Sequence, residues 1–294
     1  MHDILDNVSE EQMRDYEARI ARFTLMDDTF MAKVFEDKAC VEYLLKVILK
    51  KDFIVKEIRT QFNMRNIQGH SAVLDIFAVD SENKRYDIEV QRDDDGAIPE
   101  RARYNSALID TNSLKKGQDY KDLPDVYVIF ITENDVLKGN KPIYTIERTV
   151  SELGHKSFDD RSHIIYVNGK FRDDSEIGKL MHDFSCNSVS EMNNSVLKDR
   201  TAYFKEKQEG KTTMCRIMEE LKEETAAKVT QQVTQQVTAK VTKQVTAKVT
   251  KQVTAENSRK IALRLLQSGE KSLEKIALLT DLPLSEVKKL AEQK

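Results

Sequence analysis

The chain has 294 residues, 33% of them charged, with nine glycines, four prolines and a net charge of −3. These proportions exclude a disordered chain and describe a helix-rich protein of one large domain or one domain with appendages. No apolar run approaches the roughly 20 residues of a membrane helix. The acidic start "MHDILDNVSEEQMRDYEARIARF" lacks the apolar core of a leader peptide. Cys40, Cys186 and Cys215 are widely spaced and form neither a zinc pattern nor a disulfide framework, so a reducing cytoplasm with no membrane contact is expected. The charge is uneven. Residues 226–294 hold 13 Lys and Arg against 6 Asp and Glu, a net of +7, which leaves −10 for residues 1–225. A basic tail on an acidic body is compatible with nucleic-acid contact, although a solvated helix face explains it more simply.

Residues 10–50 read as helices, with apolar residues three and four apart in "TFMAKVFEDKACVEYLLKVILKK". A strand is expected over 53–62. "SAVLDIFAVD" and "RYDIEVQ" are two β-rich runs joined by the short polar "SENK", an antiparallel hairpin without the Asn-Gly turn that most often closes one. Pro99 opens a helical stretch, "PERARYNSALIDTNSL". "DVYVIFITE" (125–133) is a continuous apolar run, as in a strand buried on both faces. "HIIYVNG" is another strand, and from Glu176 to about Ala227 the pattern is helical again. Strands alternating with helices predict an α/β or α+β body around a mixed sheet, residues 1–225.

Over 226–256 a tetrapeptide repeats, with valine at every fourth position from Val229 to Val253. A step of four overshoots a helical turn by about 40°, so the valines wind around the helix and make no heptad seam. We expect a helical tether, with self-association through its Val/Thr surface as an alternative. Residues 257–294 form a small helical unit in which "LEKIALLTDLPLSEVKKL" reads as helix, turn, helix, with Ser285 as the expected cap. Such a unit reads DNA through its second helix, here through Lys288, Lys289, Gln293 and Lys294, or serves packing and dimerisation. So short a unit is marginal alone, and a homo-oligomer is expected.

The chemistry concentrates in the hairpin. Asp75 and Glu89 sit in apolar runs, where an unpaired carboxylate is costly. Antiparallel pairing about "SENK" sets them nearly opposite, with Cβ atoms roughly 4.5–5.5 Å apart. Carboxylates that close repel unless one is protonated or a cation lies between them, and their oxygens suit Mg²⁺ or Mn²⁺. Alternation puts Asp87, Glu89 and Gln91 on one face, with Ile88 and Val90 on the other. Gln91 can then orient a water beside a metal. Taken alone, such a pair of acids reads more simply as the solvent face of a half-buried hairpin.

The phrases "DDTFMAKVF", "GHSAVLDIFAVD", "YDIEVQR", "RARYNSALID", "GQDYKDLPDVYVIFITEND", "PIYTIER", "SHIIYVNG", "GKLMHDF", "YFKEKQEG" and "MCRIMEE" span roughly residues 23–222. In that order they resemble the PD-(D/E)xK family transposases and recombination-promoting nucleases of bacteria. The resemblance implies a restriction-endonuclease-like core, a mixed sheet flanked by helices. It implies a metal-dependent DNA endonuclease associated with transposition or recombination, with Mg²⁺ or Mn²⁺ as cofactor and DNA as partner. Asp75 and Glu89 would be the metal-binding acids, the Val90 carbonyl a third ligand, and Gln91 the occupant of a position where many relatives carry Lys. Leu74 stands where the motif has Pro. Arg103 with Tyr104 is the preferred phosphate-contacting pair, ahead of Arg101, which lies about 200° away around the helix. Asp28, or Glu36, would be an accessory acid, with Asp28 expected as a helix cap beside the site. His70, His155, His163 and His182 have no zinc spacing and are expected to be structural. The rival readings are a degenerate core that binds DNA without cutting it, which Gln91 favours, and an oligomeric scaffold driven by tether and tail.

Overall fold

A computed structural model describes residues 4–66 and 69–292. Its first compact unit spans Met1–Glu219. Here a six-stranded sheet has the order β1-β2-β3-β4-β8-β5. Its strands are β1 (Val55–Met64), β2 (Ala72–Asp80), β3 (Arg85–Gln91), β4 (Val126–Thr132), β5 (Ile143–Ile146) and β8 (Ser162–Asn168). β1, β2 and β3 form an antiparallel meander, β3, β4 and β8 run parallel, and β5 closes the far edge antiparallel. A two-stranded ribbon, β6 (Thr149–Val150) with β7 (Lys156–Ser157), stands apart. The predicted strands are present within two residues at each end. β5 and the ribbon were not predicted.

The hairpin closes on Asp80 in place of an Asn-Gly turn. Its Oδ1 accepts from the Glu82 and Lys84 N–H groups, its Oδ2 accepts from the Tyr86 hydroxyl, and Asn83 takes the left-handed backbone at φ 65°.

Helix α4 (Pro99–Ser113), with Pro99 in its first turn, covers one sheet face, where Ala102, Leu108 and Ile109 pack on Phe77, Val128, Phe130 and Tyr166. The other face is covered by α1 (Glu10–Arg22), α2 (Asp28–Val34), α3 (Lys38–Leu49), α5 (Glu176–Ser185), α6 (Ser195–Glu206) and the start of α7 (Gln208–Gln267). β4 thus has apolar cover on both sides, as its unbroken apolar run requires.

The second unit spans Glu220–Lys294. α7 is one 60-residue helix that continues without a break through both 226 and 257. Each repeat valine is about half exposed, from 49% at Val241 and Val249 to 54% at Val237, so none is singled out as a buried seam. After α7 come α8 (Leu273–Thr280) and α9 (Leu284–Glu292), which enclose a small core of Ala262, Leu266, Ile276, Leu282 and Val287. Ser285 is not a cap. It is the second residue of α9, because Pro283 already supplies the carbonyl that accepts from Glu286 and Val287. Gln293 and Lys294 lie outside the described residues. Among the described residues no helix is long and apolar enough to cross a membrane.

Lys205, on α6, is 9% exposed, and its ammonium donates to the Ala21, Phe23 and Asn187 carbonyls at 3.1, 2.6 and 2.6 Å. It closes the end of α1 and the loop before α6 at once. Lys205→Met keeps the stem but leaves three inward carbonyls without their donor. It should lower unfolding stability by about 2–4 kcal/mol in urea titrations.

Candidate nuclease site

The β2–β3 ladder runs from Val79↔Arg85 to Ile76↔Ile88 and stops there. The next step of the register would pair Asp75 with Glu89. The main chains part instead, and Asp75 Oδ2 accepts the Val90 N–H at 3.0 Å. The carboxylate replaces a strand as the partner of that amide. In an extended chain a residue's N–H and carbonyl point to the same edge, so the Val90 carbonyl is also directed toward Asp75.

The other acids lie on the α4 face. Glu89 and Asp87 are both fully buried. Asn105 Nδ2 donates to Asp87 Oδ2 at 2.9 Å and to Glu89 Oε1 at 3.3 Å. Asp87 Oδ1 is buried and has no hydrogen-bond partner. Gln91 bridges the predicted pair: its Nε2 stands 3.4 Å from Asp75 Oδ2 and 3.3 Å from Glu89 Oε2. Its Oε1 accepts from Arg101 Nη1 at 3.3 Å. Arg101 Nη2 is ion-paired with Glu89 Oε2, and its Nη1 also donates to the Gly96 carbonyl at 2.9 Å. A Cβ at Gly96 would collide with the Gln91 amide oxygen, so the glycine makes room for this contact.

Of the two arginines, the structure brings Arg101 and not Arg103 to the acids. Arg101 points at the acids, because Pro99 starts α4 just after the Gly96 turn and sets the helix phase. Arg103 is exposed, and the Tyr104 hydroxyl donates to the His70 carbonyl and accepts from Asn66 Nδ2.

Arg92 anchors the start of α2 next to this cluster, through the Met26 carbonyl at 3.2 Å, Thr24 Oγ1 at 3.2 Å and Asp27 Oδ1 at 3.1 Å. Asp27 occupies the cap position and Asp28 begins the helix, which corrects Asp28 as the cap. The Asp28 charge is nevertheless felt at Asp75. Glu36 is taken up by Lys33 at 2.6 Å on the surface. His163 stacks on Tyr127 with ring centroids 4.4 Å apart, and His182 sits beside Asp183.

Asp87, Asn105, Gly96 and Arg92 carried no role in the sequence reading. Alternation had placed Asp87 on the Glu89 face. A polar Asn105 between apolar Ala102 and Ile109 was a further legible signal.

Burial is the largest influence on all three acids and pushes each carboxyl above the ordinary range. For Glu89 the charges of Asp87 and Asp75 add to it, and Arg101 opposes it. If all three carboxyls ionised, one guanidinium would leave an excess of negative charge that a divalent cation could offset. Among the described residues no group of three or more His, Cys, Asp or Glu is arranged to hold a metal. The oxygens that could hold a divalent cation here are the Asp75 and Glu89 carboxylates with the Val90 carbonyl, a set of the kind Mg²⁺ accepts when waters complete it. The raised carboxyls also fix a sign. A folded-state pKa above the unfolded value stabilises the fold at low pH, and that stability is lost as pH rises through the folded pKa. Metal-free protein should therefore lose thermal stability as pH rises from about 4, the ordinary Asp value, to about 7, where burial places Asp87, and Asp87→Asn should flatten that slope in a pH series of melting curves.

No curated protein and no solved structure matches the chain in the respective comparisons. The family described as PD-(D/E)XK nuclease family transposase matches residues 30–176, which include the hairpin, α4 and β4 and end at the start of α5. With half of its length matched and a mixed sheet flanked by helices, the chain belongs to the PD-(D/E)XK nuclease family transposases.

Proposed function

We propose that this chain is a metal-dependent DNA endonuclease acting in DNA transposition or recombination. The observation that carries this reading is the meeting of Asp75 and Glu89 across the Gln91 amide, at the point where the β2–β3 ladder opens. PD-(D/E)XK nucleases generally use divalent metal ions, and a nuclease of this family has DNA as its substrate. Mg²⁺ or Mn²⁺ would be held by Asp75, Glu89 and the Val90 carbonyl. When bound, such an ion lowers the pKa of a water and offsets charge developing on the phosphate.

The chain's own residues do the rest. Gln91 is neutral and can orient the attacking water through its amide, which is already turned toward both acids. The positive charge that relatives place on Lys in this motif is supplied by Arg101 from the neighbouring helix. Its guanidinium is 34% exposed and sits where it can hold a phosphate oxygen as well as Glu89. Attack by water oxygen on phosphorus breaks the bond to the 3′ oxygen, which leaves as a hydroxyl, and the 5′ side keeps the phosphate. We assign nuclease chemistry to residues 1–225, and spacing and recruitment of DNA or a second subunit to residues 226–256 and 257–294.

A supercoiled plasmid at low salt with Mg²⁺ or Mn²⁺ tests this. Wild type should nick it, and Asp75→Ala and Glu89→Ala should each cut the rate by roughly 100-fold or more, a loss of about 3 kcal/mol of transition-state stabilisation. Retardation of DNA on a gel without cleavage, under every metal tried, would mean a DNA-binding relic of a nuclease. Arg101→Ala should slow nicking by at least about tenfold, whereas exposed Arg103→Ala should stay within about twofold in the same assay.

A further inference from the structure

Gln61 stands in the middle of β1 with φ 48°, a left-handed backbone that a residue with a Cβ adopts at a cost and that strands otherwise exclude. The β1–β2 ladder keeps one register from Glu57↔Val79 to Met64↔Ala72, yet the Gln61–Asp75 step is missing from it. The faces change there. Before it, Phe77 and Val79 pack on the α4 side and Ile58, Ile76 and Ala78 on the opposite side. After it, Phe62, Met64, Leu74 and Ala72 are on the α4 side. Both strands therefore slip by one face at Gln61 and Asp75 without any slip in pairing. The slip frees Asp75 from either face, so that its carboxylate lies toward the end of β3, where Oδ2 takes the Val90 N–H. On the other side, Gln61 Nε2 donates to Asp75 Oδ1 at 3.2 Å.

Backbone strain at a polar residue, a two-strand change of face and a hydrogen bond to the same acid converge on one role. We infer that Gln61 is a positioning residue for Asp75. Its left-handed backbone turns the strand pair at the acid, and its amide fixes the carboxylate so that one oxygen stays directed at the gap shared with Glu89. This rests on the reading of Asp75 as a metal-holding acid.

The test uses the full chain and Gln61→Gly, which keeps the left-handed backbone without penalty and removes the whole side chain, amide included. Gln61→Asn, which also accepts this backbone but whose amide is one carbon shorter, is the second variant. Mn²⁺ alone is titrated and read by calorimetry, with melting temperature and plasmid nicking measured on the same samples. The expected result is a melting temperature at or above wild type, an Mn²⁺ midpoint raised about tenfold or more, and nicking that recovers toward the wild-type rate at saturating Mn²⁺. A merely structural role would lower the melting temperature and leave the midpoint in place. If both variants bind Mn²⁺ and nick within twofold of wild type while Asp75→Ala loses both, the role of Gln61 is overturned and the nuclease reading stands. If wild type neither binds Mn²⁺ nor nicks, both fall together.

Discussion

Three carboxylates, Asp75, Asp87 and Glu89, are enclosed at one end of the sheet with a single guanidinium among them. A buried acid without a matching charge costs several kcal/mol, even after relaxation. Much of the local structure is the accommodation of that fact. The β2–β3 ladder opens one residue early, so that Asp75 can accept a main-chain N–H. Asn105 spans two acids with one amide. Gly96 leaves the volume into which Gln91 folds, and Pro99 sets the helix phase that aims Arg101 inward. Arg92 draws the start of α2 alongside.

The same constraint bears on Gln91, which stands where the family's motif name has Lys. A lysine there would place a second cation on the strand beside both acids. In this chain the charge comes from α4, and the amide links guanidinium and carboxylates, with its oxygen toward Arg101 and its NH₂ toward the acids. That orientation satisfies both ends of the dipole. The exchange is not neutral chemically. A lysine can give up its proton, whereas an arginine stays charged at any working pH. Under the proposed hydrolysis, Arg101 would therefore not serve as the base for the attacking water.

Acids crowded in this way cost stability when ionised, and on the proposed reading a divalent cation that binds the folded state alone would return it. The core around it compensates. Phe30, Phe35, Leu44, Leu45 and Phe184 are fully buried on the opposite sheet face, away from the acids. Lys205 and Asp183 tie its loops, Asp183 by accepting the Asn193 and Asn194 N–H groups at 2.7 and 3.0 Å.

Much of this was legible in the residues. The strands β2, β3, β4 and β8 declare themselves through β-branched apolar runs, and the register that brings Asp75 and Glu89 to one end of the hairpin follows from the length of the "SENK" connection, although the ladder opens one step before them. β5 was not legible, because it is a four-residue edge strand with two exposed positions. Helical periodicity showed that Arg101 and Arg103 diverge, but the choice between them depends on how the Gly96 turn enters α4, a tertiary matter. Gln61 is the clearest case of what a pattern conceals. Glutamine is not a residue that announces a left-handed backbone, as Gly or Asn would. The alternation on either side of it is regular, and only the change of face between the two halves betrays the slip. A strand pair that keeps its register while exchanging its faces needs some residue to absorb the twist. That residue sits beside the acid whose direction the twist decides.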